Sequence, residues 1–141
     1  GEYLALTRVW SMGSTVVLNL DMRVQVIEGD PRMTDSYGRV ALQRGPLVYC
    51  LESPDNPTLQ LRDIGLVPEP DLSAAWEPDL LNGVVAITGN GFVETQPDNT
   101  PAYRPVGSAV SRKTNVPIKA IPYYAWANRG RSDMTVWLRH Q

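Results

Sequence analysis

STVVLNLDMRVQVIE, residues 14–28, places Val16, Leu18, Leu20, Met22, Val24 and Val26 at every second position. Successive side chains of an extended chain point to opposite faces, so this period of two reads as a β-strand with one apolar face. Upstream, EYLALTRVW (2–10) sets Leu4 and Leu6 against Tyr3, Ala5 and Thr7. Between the two runs SMGS (11–14) supplies Gly13 where a hairpin needs a positive φ. The chain therefore opens with two predicted strands, over 3–9 and 16–26.

The same texture continues downstream. GDPRMTDSYG (29–38) is a loop, and RVALQRGPLVYCLE (39–52) reads as two short strands broken at Gly45-Pro46. From Ser53 to Pro78, five prolines sit among acidic residues and only LQLRDIGL (59–66) looks extended. DLLNGVVAITGNGFVE (79–94) gives a strand centred on Val84–Ile87, with Gly89 and Gly91 read as a turn. TQPDNTPAYRPVGSAVSRKTNVP (95–117) is loop-rich, and the final stretch to His140 reads as a hairpin turning through 128–133. No run shows a 3.6-residue apolar stripe. The expected fold is all-β, an antiparallel β-sandwich of jelly-roll-like form. It is read as a single module over 1–141, with a division near 53–78 into the end of one sandwich and a second as the other organisation.

Composition sets the functional classes. Apolar residues make up 43% and charged residues 20%, ordinary for a soluble globular chain. A formal charge of −2 and a pI near 5.3 give no basic footprint, so no nucleic-acid partner is expected. No apolar run approaches the roughly 18 residues of a membrane-spanning helix, and no membrane partner is expected. The compartment stays open. Charge is nonetheless uneven: nine acidic residues and one basic residue lie between Glu52 and Asp98, against seven basic and one acidic over 101–141. The ordinary reading is that the acidic loops stay solvated; the other is that the two stretches face each other or a second surface.

Little in the chain offers reaction chemistry. Its one cysteine, Cys50, and one histidine, His140, stand far apart in sequence, with Cys50 in a strand-like LVYCLE. One thiol and one imidazole without CxxC or HxxxH spacing cannot supply a zinc set, and no phosphate loop occurs. Glycoside hydrolysis needs two carboxylates at a defined separation, and nothing in the sequence makes Glu52 and Glu94 converge. No catalytic residue, metal ligand or cofactor is assigned.

IPYYAWANRG (121–130) poses the remaining question. As a strand it sets Ile121, Tyr123, Ala125 and Ala127 against Pro122, Tyr124, Trp126 and Asn128. Apolar bulk on both faces reads as packing on both. The competing reading is a carbohydrate platform of exposed Tyr124 and Trp126, or of Trp76 in its loop.

Four stretches together carry a resemblance: YLALTRVWSMGSTVVLNLDM (3–22), GRVALQRGPLVYCLE (38–52), DLLNGVVAI (79–87) and IPYYAWANRGRSDMTVWL (121–138). In order and spacing they resemble the C-terminal portion of the β-L-arabinofuranosidase family of glycoside hydrolases, family 127. The resemblance implies a modular parent whose helical (α/α)6 barrel carries the active site, followed by β-sandwich modules. It places the catalytic cysteine and zinc ligands near a CCPPN-like motif in that barrel, and no such motif occurs here. Cys50 matches the VYC of a sandwich strand. The expectation is a non-catalytic module that braces the barrel, with a homo-oligomer and plant arabinosides as further partners.

Overall fold

The computed structural model describes residues 2–97, 100–108 and 111–140, and among them every regular element is a strand or a short 3-10 turn. The strands are β1 (Val24–Glu28), β2 (Arg39–Arg44), β3 (Leu47–Glu52), β4 (Ile64–Leu66), β5 (Leu72–Glu77), β6 (Val84–Thr95), β7 (Arg112–Pro122), β8 (Met134–Thr135) and β9 (Leu138–His140). The all-β expectation holds.

The antiparallel sandwich does not. β2, β9, β4, β6, β7 and β3 pair in that order, and β3 pairs back onto β2 through Gln43↔Val48 and Arg44↔Leu47, closing a six-stranded barrel. β4 and β9 run parallel, so the sheet is mixed. β1 adds to β2, β5 to β6, and β8 to β3. Closure removes most free edges that two facing sheets would leave open. Period-two alternation reports which residues face inward but not which strand lies beside which.

β6 shows how the ring closes. Through Val84–Gly89 it pairs with β5, and through Phe92 and Val93 with β4, so it changes partner on that edge around Gly89–Gly91. These glycines sit inside the strand, not in the expected turn; a Cβ on Gly91 would press into the Gly65 carbonyl. The break at Gly45-Pro46 appears as expected, with Gly45 at φ +56° between β2 and β3. The 53–78 segment supplies β4 and β5, both joined to this same sheet.

Alternation splits the packing into two layers. Val40, Leu42, Tyr49, Leu51, Ile64, Leu66, Ile87, Ile118, Ala120 and Leu138 fill the barrel interior. On the outer face of β3 and β7, Cys50 and Ile121 pack with Val84 and Ala125. Three of the seven basic residues over 101–141 pair with the acidic stretch: Lys119 with Glu77 at 2.9 Å, Arg139 with Asp63 at 3.2 Å, and Arg129 with Glu52 and Asp55.

Of the two opening strands the first does not form, and the second forms only from Val24 onward. Residues 2–23 carry no regular secondary structure beyond a turn in which the Ser14 N–H donates to the Ser11 carbonyl at 3.0 Å, and none of them enters a ladder. Pairing begins at Val24, opposite Arg44.

Candidate functional site

The IPYYAWANRG stretch leaves the sheet at Pro122, which still pairs with Tyr49, and continues as a 3-10 turn over Tyr123–Ala125. The expected strand and hairpin are absent there: β8 pairs with β3, and β9 with β2 and β4. Pro122 fixes φ and offers no N–H, and the turn closes when the Trp126 N–H donates to the Tyr123 carbonyl at 3.2 Å. Ile121 and Ala125 point into the outer core, while Tyr123, Tyr124 and Trp126 are 47%, 66% and 38% exposed. The strand geometry expected here is thus replaced by a turn, which leaves these three rings facing outward on this chain rather than buried within it.

A buried carboxylate holds this turn in place. Glu52 ends β3 with no exposed surface. Its Oε1 accepts from the Ala127 N–H at 3.2 Å and the Ser132 hydroxyl at 2.5 Å, and its Oε2 accepts from Arg129 Nη2 at 2.5 Å. Arg129 also donates from Nη1 and Nη2 to the two Asp55 oxygens at 2.9 and 2.5 Å. The network steadies Ala127, a non-glycine residue at φ +62°. Burial alone would push the Glu52 carboxyl up. Bonds from Ser132, Arg129 and the Ala127 N–H, with the Arg129 charge, outweigh it and hold the group below the usual glutamate value. The Asp55 bond, opposed by burial and joined by Glu52, holds Arg129 firmly charged. Beside them the buried Asn56 side chain extends the sheet, donating to the Glu52 and Lys119 carbonyls at 2.9 Å and accepting from the Lys119 N–H at 3.0 Å.

Two concave surfaces flank the turn. On one side Val48, Tyr123, Met134, Thr135, Val136 and Trp137 line an apolar groove of about 540 Å³. Trp126 stacks on Tyr123 at its rim, with ring centroids 6.2 Å apart and planes at 27°. On the other side Tyr124 borders a more polar cleft of about 660 Å³ with Asp79, Asn82, Asn128 and Arg129. Its far wall is the β5–β6 loop, where Leu81, Asn82 and Gly83 all have positive φ, and Trp76, 62% exposed, lies against Gly83. Tyr124 and Trp126 therefore serve different surfaces, and Trp76 sits beyond the loop wall of the cleft.

Cys50 is not placed for chemistry. It is fully buried among Val84, Ile121 and Ala125. Burial first, then the charges of Glu52 and Asp55, push its thiol up to about 12, against a smaller opposing pull from Arg129. The buried side chains packed on it in this outer layer are apolar and carry no ligand atom for a metal.

A model of the glycoside hydrolase family 127 C-terminal domain matches residues 24–139. The non-reducing end β-L-arabinofuranosidase of Bifidobacterium longum subsp. longum is 34% identical over 127 residues, 88% of this chain and 19% of that protein. Among solved structures, a GH127 β-L-arabinofuranosidase from Geobacillus stearothermophilus T6 superposes with a TM-score of 0.75 at 45% identity, over 85% of this chain and 18% of that one. A GH127 β-arabinofuranosidase gives 0.72 at 34% identity, over 86% and 18%. The chain spans about a fifth of the length of these relatives.

Proposed function

Because this chain belongs to the glycoside hydrolase family 127 C-terminal domain family, we propose that it is the non-catalytic accessory module of a β-L-arabinofuranosidase-like hydrolase. Its work is to pack against the catalytic part of such a parent and steady it. The observation that carries this is the apolar groove. Val48, Tyr123 and Trp126 stay exposed beside Met134, Val136 and Trp137, on a turn that the buried Glu52–Arg129 pair holds rigid. A rigid apolar surface around aromatic anchors suits a permanent protein contact.

The test uses the longer parent. Trp126→Ser combined with Val136→Ser should leave the initial rate on an aryl β-L-arabinofuranoside within about twofold. The same variant should lower the temperature of half-inactivation by about 2–4 °C for each kcal/mol by which it weakens the packing between the two parts. A fall in kcat/KM with an unchanged inactivation temperature would move this face into substrate binding and defeat the proposal.

The polar cleft favours a second reading, a carbohydrate-binding module for arabinosides. Tyr124 offers an exposed ring beside Asp79, Asn82 and Asn128, and Trp76 lies past Gly83. Aromatic faces with nearby hydrogen-bonding groups suit a neutral sugar. On this reading Tyr124, with Trp76 as an outer contact, carries binding, and Trp126 belongs to the groove instead. Saturable binding of L-arabinose that Tyr124→Ala abolishes and Trp126→Ala spares would support it.

A further inference from the structure

The polar cleft beside Tyr124 holds hydrogen-bonding groups that the fold itself does not use. On the β5–β6 loop Asp79 and Asn82 make no ion pair or side-chain hydrogen bond among the described residues. On the facing wall Asn128 directs its amide hydrogens inward, to the Ala125 carbonyl at 3.0 Å and the Trp126 carbonyl at 3.5 Å, which leaves its Oδ1 as an acceptor. Arg129 donates to Glu52 and Asp55 through Nη1 and Nη2, while its Nε–H is buried without a partner among the described residues. Backbone strain gathers at the same place. Leu81, Asn82 and Ala127, at φ 53°, 63° and 62°, are the non-glycine residues of positive φ among the described residues. The first two build one wall of the cleft and Ala127 leads into Asn128 on the other. Strain of this kind persists where the surroundings hold it, and it concentrates at ligand clamps.

Charge decides what fits between these groups. Arg129 is already matched by Glu52 and Asp55, so Asp79 carries the unbalanced charge of the cleft. A cation would bring no acceptor for the Arg129 Nε–H, and an anion would meet the Asp79 carboxylate. A hydroxyl group both donates and accepts. We infer that this cleft binds a neutral, polyhydroxylated ring stacked on Tyr124, and that Asp79 is the specificity-determining residue that turns acidic sugars away. Its volume of about 660 Å³ lies within the roughly 300–1,000 Å³ usual for small-ligand sites. The inference rests on the carbohydrate-binding reading and deepens it with a charge rule: neutral sugars enter and uronates do not.

Titration of the isotope-labelled 1–141 chain with L-arabinose, D-galactose and D-galacturonate is the test, read by NMR at the Asn82 and Asn128 side-chain amides and the Arg129 Nε–H. The two neutral sugars should give saturable shifts at these groups, and galacturonate should bind about tenfold more weakly than galactose. Because the discrimination is electrostatic, high salt should narrow it. Asp79→Asn, on an exposed loop, should keep the fold and bring galacturonate to within about threefold of galactose. Equal affinities for galactose and galacturonate in the native sequence would overturn the inference and leave the carbohydrate-binding reading standing, as would an unchanged ratio in Asp79→Asn. No shift with any of the three sugars would sink both. A tetramethylammonium ion that displaced the neutral sugars at lower concentration would also overturn the inference, making Asp79 and Tyr124 a cation site.

Discussion

Glu52 and Arg129, 77 positions apart in sequence, meet at 2.5 Å with the carboxylate fully buried. This contact ties the end of β3 to the loop that follows the aromatic turn, and it fixes where Tyr123, Tyr124 and Trp126 point. Removing one member of a buried pair leaves the other charge uncompensated. Arg129→Ala should therefore cost about 3 kcal/mol in urea unfolding, toward the low end for buried pairs because Arg129 is partly open to water. Arg129→Lys, which keeps the charge but loses the fork onto Asp55 and Glu52, should cost less.

The same pair predicts acid sensitivity. Glu52 holds its proton less tightly in the fold than at its ordinary value of 4.5, so unfolding takes up a proton just below that pH. Its contribution is fully present above 4.5 and is lost as pH falls through the folded value. Denaturation midpoints from pH 7 to pH 3 should drop more steeply for the native sequence than for Glu52→Gln.

Cys50 should be inert while the chain is folded. With its thiol pushed up to about 12, only about one molecule in ten thousand carries thiolate at pH 8. A disulfide reagent at that pH should label the protein only at its unfolding rate, and at once in denaturant. Fast labelling of the native chain would contradict the buried placement.

Stability should separate the barrel interior from the aromatic turn. Leu42→Ala, in the interior, should cost about 3 kcal/mol. Trp126→Ala, on the groove rim, should cost about 2 kcal/mol, less than the interior leucine because over a third of its surface is already in water. Equal losses would mean that the turn is a core element after all.

Asn56 offers a test of the polar seam. Asn56→Ala strips partners from the Lys119 N–H and from the Glu52 and Lys119 carbonyls, and should cost about 2 kcal/mol. Asn56→Asp keeps the acceptor but not the donor and brings a charge beside Glu52, so it should be no milder.

Much of this fold was legible in local pattern. Alternation in RVALQR and LVYCLE marked β2 and β3, Gly45-Pro46 marked the break between them, and these residues make up one of the four stretches that carried the family resemblance. Barrel closure was not legible, because β2–β9 and the parallel β4–β9 contacts join distant segments that carry no shared local signal. β5 was hidden in LSAAWE, whose small alanines lack the β-branched texture of a strand. At the opening, alternation was right about side-chain faces and silent about partners: the same pattern runs from Val16 to Val26, yet only its last third pairs. The aromatic stretch misled for a related reason. Pro122 permits a strand end and a turn equally, and the Glu52–Arg129 bond that decides between them lies outside any sequence window.

Hydroxyl-radical footprinting of Tyr123, Trp126 and Trp137, in the 1–141 chain and in the longer parent, tests the accessory-module account most directly. Oxidation of these three rings should fall several-fold in the parent while Trp76 reacts equally in both. Equal reactivity of the groove residues in both proteins would show that nothing packs there, and would contradict it.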